Sequence, residues 1–242
     1  MFTLFRKEFT SFFYSATGYV VLGLFWLAVS LLMWLIPGSY NVLDSGYAQF
    51  DSLFGLTPWL FMFLCPGITM RMLAEEKQNR TWDWLRTLPM YPSQIVLGKY
   101  MAAVMLSLIA LLPYLVYYWG VSRLADPVGN VDGGAFMGSM TGLFFLIVAD
   151  TAIGLFASSV TRSQLTSFLL ALVMCFLLFY GFDLAGGLLS SGPAVESVRH
   201  LGFNAHYTAV SRGVIDSRDL AYFVFVGSLF VALTIWRCRR RE

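Results

Sequence analysis

Six long apolar segments decide what this chain can fold into: Tyr19–Ile36, Leu53–Met70, Tyr100–Trp119, Ala135–Val160, Leu165–Phe182 and Leu220–Trp236. At about 1.5 Å of rise per residue, helices of this length cross a hydrocarbon layer roughly 30 Å thick. Inside that layer no water satisfies backbone N–H and C=O groups, and a helix satisfies them within itself. Composition agrees. The chain is 58% hydrophobic and only 12% charged, whereas an ordinary soluble domain carries about 25% charged residues. A further run, Ala185–Leu189, is too short to span. The sequence therefore predicts an all-α polytopic membrane protein with six transmembrane helices, one domain over residues 1–242. Pro66-Gly67 and Pro113 predict kinks, tolerable where neighbouring helices cover the freed carbonyls.

Lys and Arg set the orientation. Twelve fall on one side of the six-span layout, from Arg6 and Lys7 through Arg71–Lys99 and Arg162 to Arg237–Arg241; Arg123, Arg199, Arg212 and Arg218 fall on the other. The bias predicts that both termini are cytoplasmic. No small-x-small cleavage site follows the first apolar run, so that run reads as a span rather than a signal peptide. Before it, Phe2, Phe5, Phe9, Phe12 and Phe13 recur at helical spacing, which predicts an amphipathic helix over residues 1–17 in the inner interface. Residues 183–219 form the long extracytoplasmic loop, with room for one or two short helices.

Few residues carry chemistry. Cys65, Cys175 and Cys238 make no CxxC or Cys/His cluster, so disulfide and zinc readings are weak. There is no GxxxxGK[ST], HExxH or GxSxG, so the chain itself lacks nucleotide-binding and hydrolase motifs. "GSMTG", Gly138–Gly142, reads as small-xxx-small helix packing. Asp150 is the ionisable residue deep in an apolar span. It either titrates in a functional cycle or hydrogen-bonds two helices together. His200 and His206 share no helical face well, which argues against a metal pair. A proton-coupled transporter would want several buried charges and internal repeats. An intramembrane hydrolase would want a nucleophile with its base. What remains is a membrane component driven by another chain, with no feature that points to nucleic acid.

The segment "RMLAEEKQNRTWDWLRTLPMYPSQIVLGKY", Arg71–Tyr100, stands apart from the oil around it. Thr81 is a good N-cap, and Asp83 sits where the helix dipole favours an anion. Leu85 and Leu88 continue an apolar face with Trp84. Pro89 and Pro92 stop the helix, and Ser93-Gln94-Ile95 starts the next. The pattern predicts a short amphipathic helix at the inner surface between spans two and three. It is either an interfacial anchor or a docking element.

This stretch resembles the cytoplasmic signature of ABC-2-type ABC-transporter permeases: an acidic pair, Thr after a tight turn, Thr-x-Pro, then Gln-Ile-Val-Leu-Gly-Lys. "ASSVTRSQLTSFLLA", Ala157–Ala171, is similar to the family's turn between spans four and five. "HYTAVSRGVIDSRDLAYFVFV", His206–Val226, is similar to the lead-in to its last span. Short length and wording look most like the gliding-motility-associated permease subunit, the GldF type. Asn79-Arg80 stands where the family has Gly before Thr81; Asn tolerates left-handed backbone. Trp82 and Trp84 replace smaller or aliphatic residues.

The resemblance implies a permease subunit in a bacterial inner membrane, with 71–99 as the cytoplasmic coupling segment. It implies that Glu75, Glu76, Thr81, Trp82, Trp84, Leu85 and Leu88 meet a cytoplasmic ABC ATPase subunit. Thr161 and Arg162, in the turn Ser158–Gln164, make a smaller contact. ATP-Mg then sits on the ATPase, and no cofactor binds this chain. A second permease, identical or related, completes the pair among membrane lipids. The output is substrate export, or force passed to an extracytoplasmic partner.

Overall fold

The computed structural model describes residues 2–38, 40–47, 50–87, 90–188, 193–213 and 216–239. Among them there is no strand. The helices are α1 (Phe2–Tyr14), α2 (Ala16–Trp34), α3 (Val42–Ser45), α4 (Asp51–Gln78), α5 (Thr81–Thr87), α6 (Pro92–Ile109), α7 (Leu112–Leu124), α8 (Gly133–Val160), α9 (Gln164–Phe176), α10 (Phe182–Leu188), α11 (Pro193–Arg199), α12 (Phe203–Ser211) and α13 (Ser217–Arg239). A π-helical turn, Leu177–Gly181, joins α9 to α10. Six stretches are long and apolar enough to cross a membrane: α2, α4, α6–α7, α8, α9–α10 and α13. This is an all-α multi-pass membrane protein.

The core lies around α8, which packs against α4, α6, α9, α12 and α13. Its best apolar window is 72% buried, against 22% in the α9–α10 span and 28% in α2. The second, third and fourth spans thus form the interior, and the first, fifth and sixth lie outside them. Membrane helices gain little from hydrophobic exclusion among themselves, so close contact between small residues carries much of their association. A β-carbon added at Gly154 would lie 2.2 Å from Thr69 Oγ1 on α4. At Gly138 it would lie 2.8 Å from Gly213 Cα and 2.9 Å from the Val210 carbonyl. The GSMTG stripe therefore seats α12, and Ser139 Oγ donates to the Ser211 carbonyl at 2.9 Å.

Proline-freed carbonyls find donors on other helices. Pro58 has no N–H for the Phe54 carbonyl four residues back; Tyr207 on α12 donates its hydroxyl there at 2.8 Å. Pro113 breaks the third span at Ala110-Leu111, between α6 and α7. The tight turn Tyr114 N–H to Leu111 O leaves the Ala110 carbonyl open, and Trp26 Nε1 donates to it at 3.2 Å. Ser30 and Tyr117 pair at 2.6 Å beside it. Pro66 lies inside α4, which runs on through it as one helix.

The N-terminal Phe residues stack in sequence, Phe2 on Phe5, Phe5 on Phe9 and Phe9 on Phe13. They do more than face lipid. Leu4 is buried, Phe5, Phe9, Phe12 and Phe13 pack on the core, and α1 lies against α6.

Candidate functional site

The short helix predicted between spans two and three is present as α5, at the end of the bundle where most Lys and Arg lie, called here the basic end. α4 ends at Gln78, and the chain reverses over Asn79-Arg80. The left-handed residue is Arg80, at φ 57°; Asn79 stays at φ −85°. The expectation that Asn79 would take that conformation is thus corrected. The backbone needs it one residue later, directly before Thr81. A non-glycine residue there costs roughly 1–2 kcal/mol, so this turn holds Arg80 against its own preference. Thr81 is the first helical residue, and its hydroxyl donates to the Glu76 carbonyl at 3.3 Å.

The apolar face of α5 also differs from the sequence reading. Trp84 does not join Leu85. Trp82 and Leu85, three residues apart on one face, are 8% and 9% exposed and belong to the core, whereas Trp84 is 81% exposed. Leu88 lies outside the described residues. After the prolines, α6 starts at Pro92, a favoured first position, with Tyr91 N–H donating to Gln94 Oε1 at 3.4 Å.

The end of α4 is braced in three directions. Toward α8, Ser158 Oγ accepts from Leu73 N–H at 3.1 Å and Ala74 N–H at 2.9 Å, and Lys77 donates to the Ser159 carbonyl. Toward α2, Arg71 donates to Ser15 Oγ at 3.0 Å and to the Thr17 hydroxyl, while pairing with Glu75 at 3.0 Å. Toward α6 and α1, Glu76 Oε1 lies 2.6 Å from Lys99 Nζ, and Glu8 Oε1 lies 2.8 Å from the same nitrogen. Glu76 is thus turned inward, with its side chain 13% exposed. Lys99, which the sequence reading counted with the Lys and Arg of the cytoplasmic side, is buried; its side chain is 1% exposed. Sequence reasoning missed Lys99, Glu8 and Ser158. The turn after α8 lies at the same end: Arg162 and Ser163 are exposed, and Thr161 partly so. Thr161 Oγ1 donates to the Ala157 carbonyl at 3.1 Å.

Asp150 sits apart from this region, midway along α8 and 2% exposed. Its carboxyl lies beside the Cys175 thiol of α9. Cys65 of α4 is close by, 3.9 Å from Ser107 Oγ of α6. Residues of four spans, α4, α6, α8 and α9, meet at this small polar node. Asp150→Asn keeps the shape and the hydrogen-bonding capacity. It is expected to change stability by no more than about 1 kcal/mol and to leave the chain's activity at the wild-type level; normal abundance with abolished activity would show that Asp150 must titrate. At the opposite end, His206 directs Nδ1 to Asp219 Oδ1 at 2.7 Å and Nε2 to the His200 carbonyl at 2.8 Å, so both its ring nitrogens are already engaged.

Among the described residues, this geometry holds a short helix, with one large aromatic outward, on braced membrane spans. Over residues 35–190 the sequence matches the family described as ABC-2 family transporter protein. The chain belongs to that family. No curated protein matches it. The matched region holds the α4–α5–α6 hairpin and the α8–α9 turn and leaves out α1 and α13. This ABC-2 protein is a transporter membrane component, of a kind that works with an ATPase subunit.

Proposed function

We propose that this ABC-2 chain is the permease subunit of an ATP-driven exporter and that α5 is its coupling helix. The carrying observation is the division of α5 into a seated face, Trp82 and Leu85, and an outward Trp84. A lipid anchor needs no bracing behind it. This helix follows a turn held at Arg80 and backs onto an α4 end tied to α1, α2, α6 and α8. A push on Trp84 therefore reaches several spans at once. The ATPase seats on Trp84, with Thr161 and Arg162 as a second contact, and holds the ATP-Mg. Two permease chains, alike or related, complete the membrane part.

Export as the output is supported by a cavity of about 750 Å³ at the opposite end, lined by Trp59, Tyr180 and Tyr207 together with Asp51, Asn130 and Arg212. Its size falls within the range of small-molecule sites. The likeness to the gliding-type subunit rests on the wording of Arg71–Tyr100 and on short length. The Lys and Arg excess of the basic end supports a cytoplasmic location for it, and the bacterial inner membrane rests on the resemblance to the family. On a Cys-free background in intact cells, a Cys introduced at Gln78 is expected to resist an impermeant thiol reagent applied outside and to react after the membrane is opened. Efficient labelling from outside would put α5 on the wrong side for ATP and overturn the assignment.

A further inference from the structure

Lys99 occupies a position that packing alone does not explain. Its side chain is 1% exposed, and one ammonium group serves carboxylates from two other elements, Glu8 of α1 and Glu76 of α4. Taking charges out of water costs several kcal/mol per ion, and an apolar trio would fill such a space at no net loss. Buried charge earns a place more readily by fixing one arrangement over another. Here the arrangement is specific. Glu8, Lys99 and Glu76 link three helices, and the Glu76 carbonyl takes the Thr81 hydroxyl at the start of α5. α1 therefore connects to both arms of the hairpin that carries α5.

The contact is not a dry weld. A cleft of about 240 Å³ opens where α1, α4, α5 and α6 meet, lined by Lys7, Glu8, Arg71, Glu75, Glu76 and Lys99. Glu76 Oε2 in this group has no hydrogen-bond partner. One cation thus holds two carboxylates beside a polar cleft, a link whose strength depends on charge. Glu8 lies outside the region that matches the family, so its part follows from this geometry and not from membership.

We propose that Lys99 is a positioning residue that clamps α1 to the coupling hairpin, so that the N-terminal helix is carried with α5 as part of the moving unit. The movement rests on the coupling role given to α5 above; the clamp does not. Glu8→Gln takes the charge from one arm and leaves the Lys99–Glu76 pair intact, and Glu8→Lys sets a second cation against Lys99. Spin labels at exposed Thr3 and Gln78, in the purified chain in lipid nanodiscs, read the α1-to-hairpin distance. The wild type is expected to give one narrow distance. The detached fraction should rise up to about tenfold in Glu8→Gln, the scale of turning a charge-assisted hydrogen bond into a neutral one, and further in Glu8→Lys. Arg6→Gln, at an exposed α1 residue outside that cleft, should change nothing. In the same variants the ATPase should still co-purify but respond several-fold less to the permease. A narrow distance in Glu8→Lys would overturn the clamp. Detachment with an unchanged ATPase response would overturn its part in coupling. If no ATPase accompanies the wild type, the coupling assignment of α5 fails, while the distance measurement still decides the clamp.

Discussion

Trp84→Ala is expected to release the ATPase subunit while leaving the permease itself as stable as the wild type. Trp84 is 81% exposed, so its removal opens no hole in the core. Large aromatic anchors at protein interfaces commonly cost about 2 kcal/mol or more on truncation, roughly thirtyfold in affinity. Trp82→Ala should behave differently. Trp82 is 8% exposed and packed in the core beside Leu85, so its truncation should cost about 3 kcal/mol of the permease's own stability. Recovery of the ATPase would then fall because α5 loses its seat. Thermal unfolding of each variant, alongside ATPase recovery in detergent, separates the two effects. Equal loss of permease stability in both variants would contradict the two-faced reading of α5.

Gly154→Val is expected to be the most damaging change within the spans. Glycine at 154 lets α8 approach α4 closely, since a β-carbon there would fall 2.2 Å from Thr69 Oγ1 and 3.1 Å from Thr69 Cβ. Thr69 cannot simply turn away, because it is buried and its hydroxyl donates to the Cys65 carbonyl at 2.8 Å. Overpacking of a dense core costs about 1–3 kcal/mol. Gly154→Ala should sit in that range and Gly154→Val beyond it, with poor accumulation in the membrane. Thr69→Ala removes the nearer clashing atom, so it should recover much of the loss in Gly154→Ala. Such non-additivity is expected of residues in contact. A double variant as unstable as the sum of its parts would show that the α4–α8 contact is looser than described.

Much of this fold was legible because oil is legible. Six apolar runs correspond to six spans, although the first run overruns α2 by two residues and the third is divided between α6 and α7. Helix ends were less legible. The apolar run Leu53–Met70 stops where charge begins, but hydrogen bonding carries α4 on to Gln78 through Glu75, Glu76 and Lys77. Pro113 announced a break in the third span, but only the packed structure shows Trp26 covering the freed carbonyl. Within α5, the sequence pattern set Trp84 on the apolar face with Leu85; the seat beneath the helix takes Trp82 with Leu85 instead. Lys99 was illegible for a different reason. A lysine near the end of a span ordinarily reaches for water. Its partners lie 91 and 23 residues away in sequence, and no local pattern announces such a triad.

The most direct measurement places a photo-crosslinking amino acid at position 84 in the cell that naturally makes the chain. Membranes are irradiated, the chain is purified under denaturing conditions, and the covalent partner is identified by mass. The account predicts one dominant adduct, an ABC ATPase subunit carrying the nucleotide-binding motifs this chain lacks, much reduced when the crosslinker is moved to a lipid-facing position such as Leu24 on α2. Adducts to lipid alone, with no ATPase from position 84, would reduce α5 to a membrane anchor and contradict the coupling role.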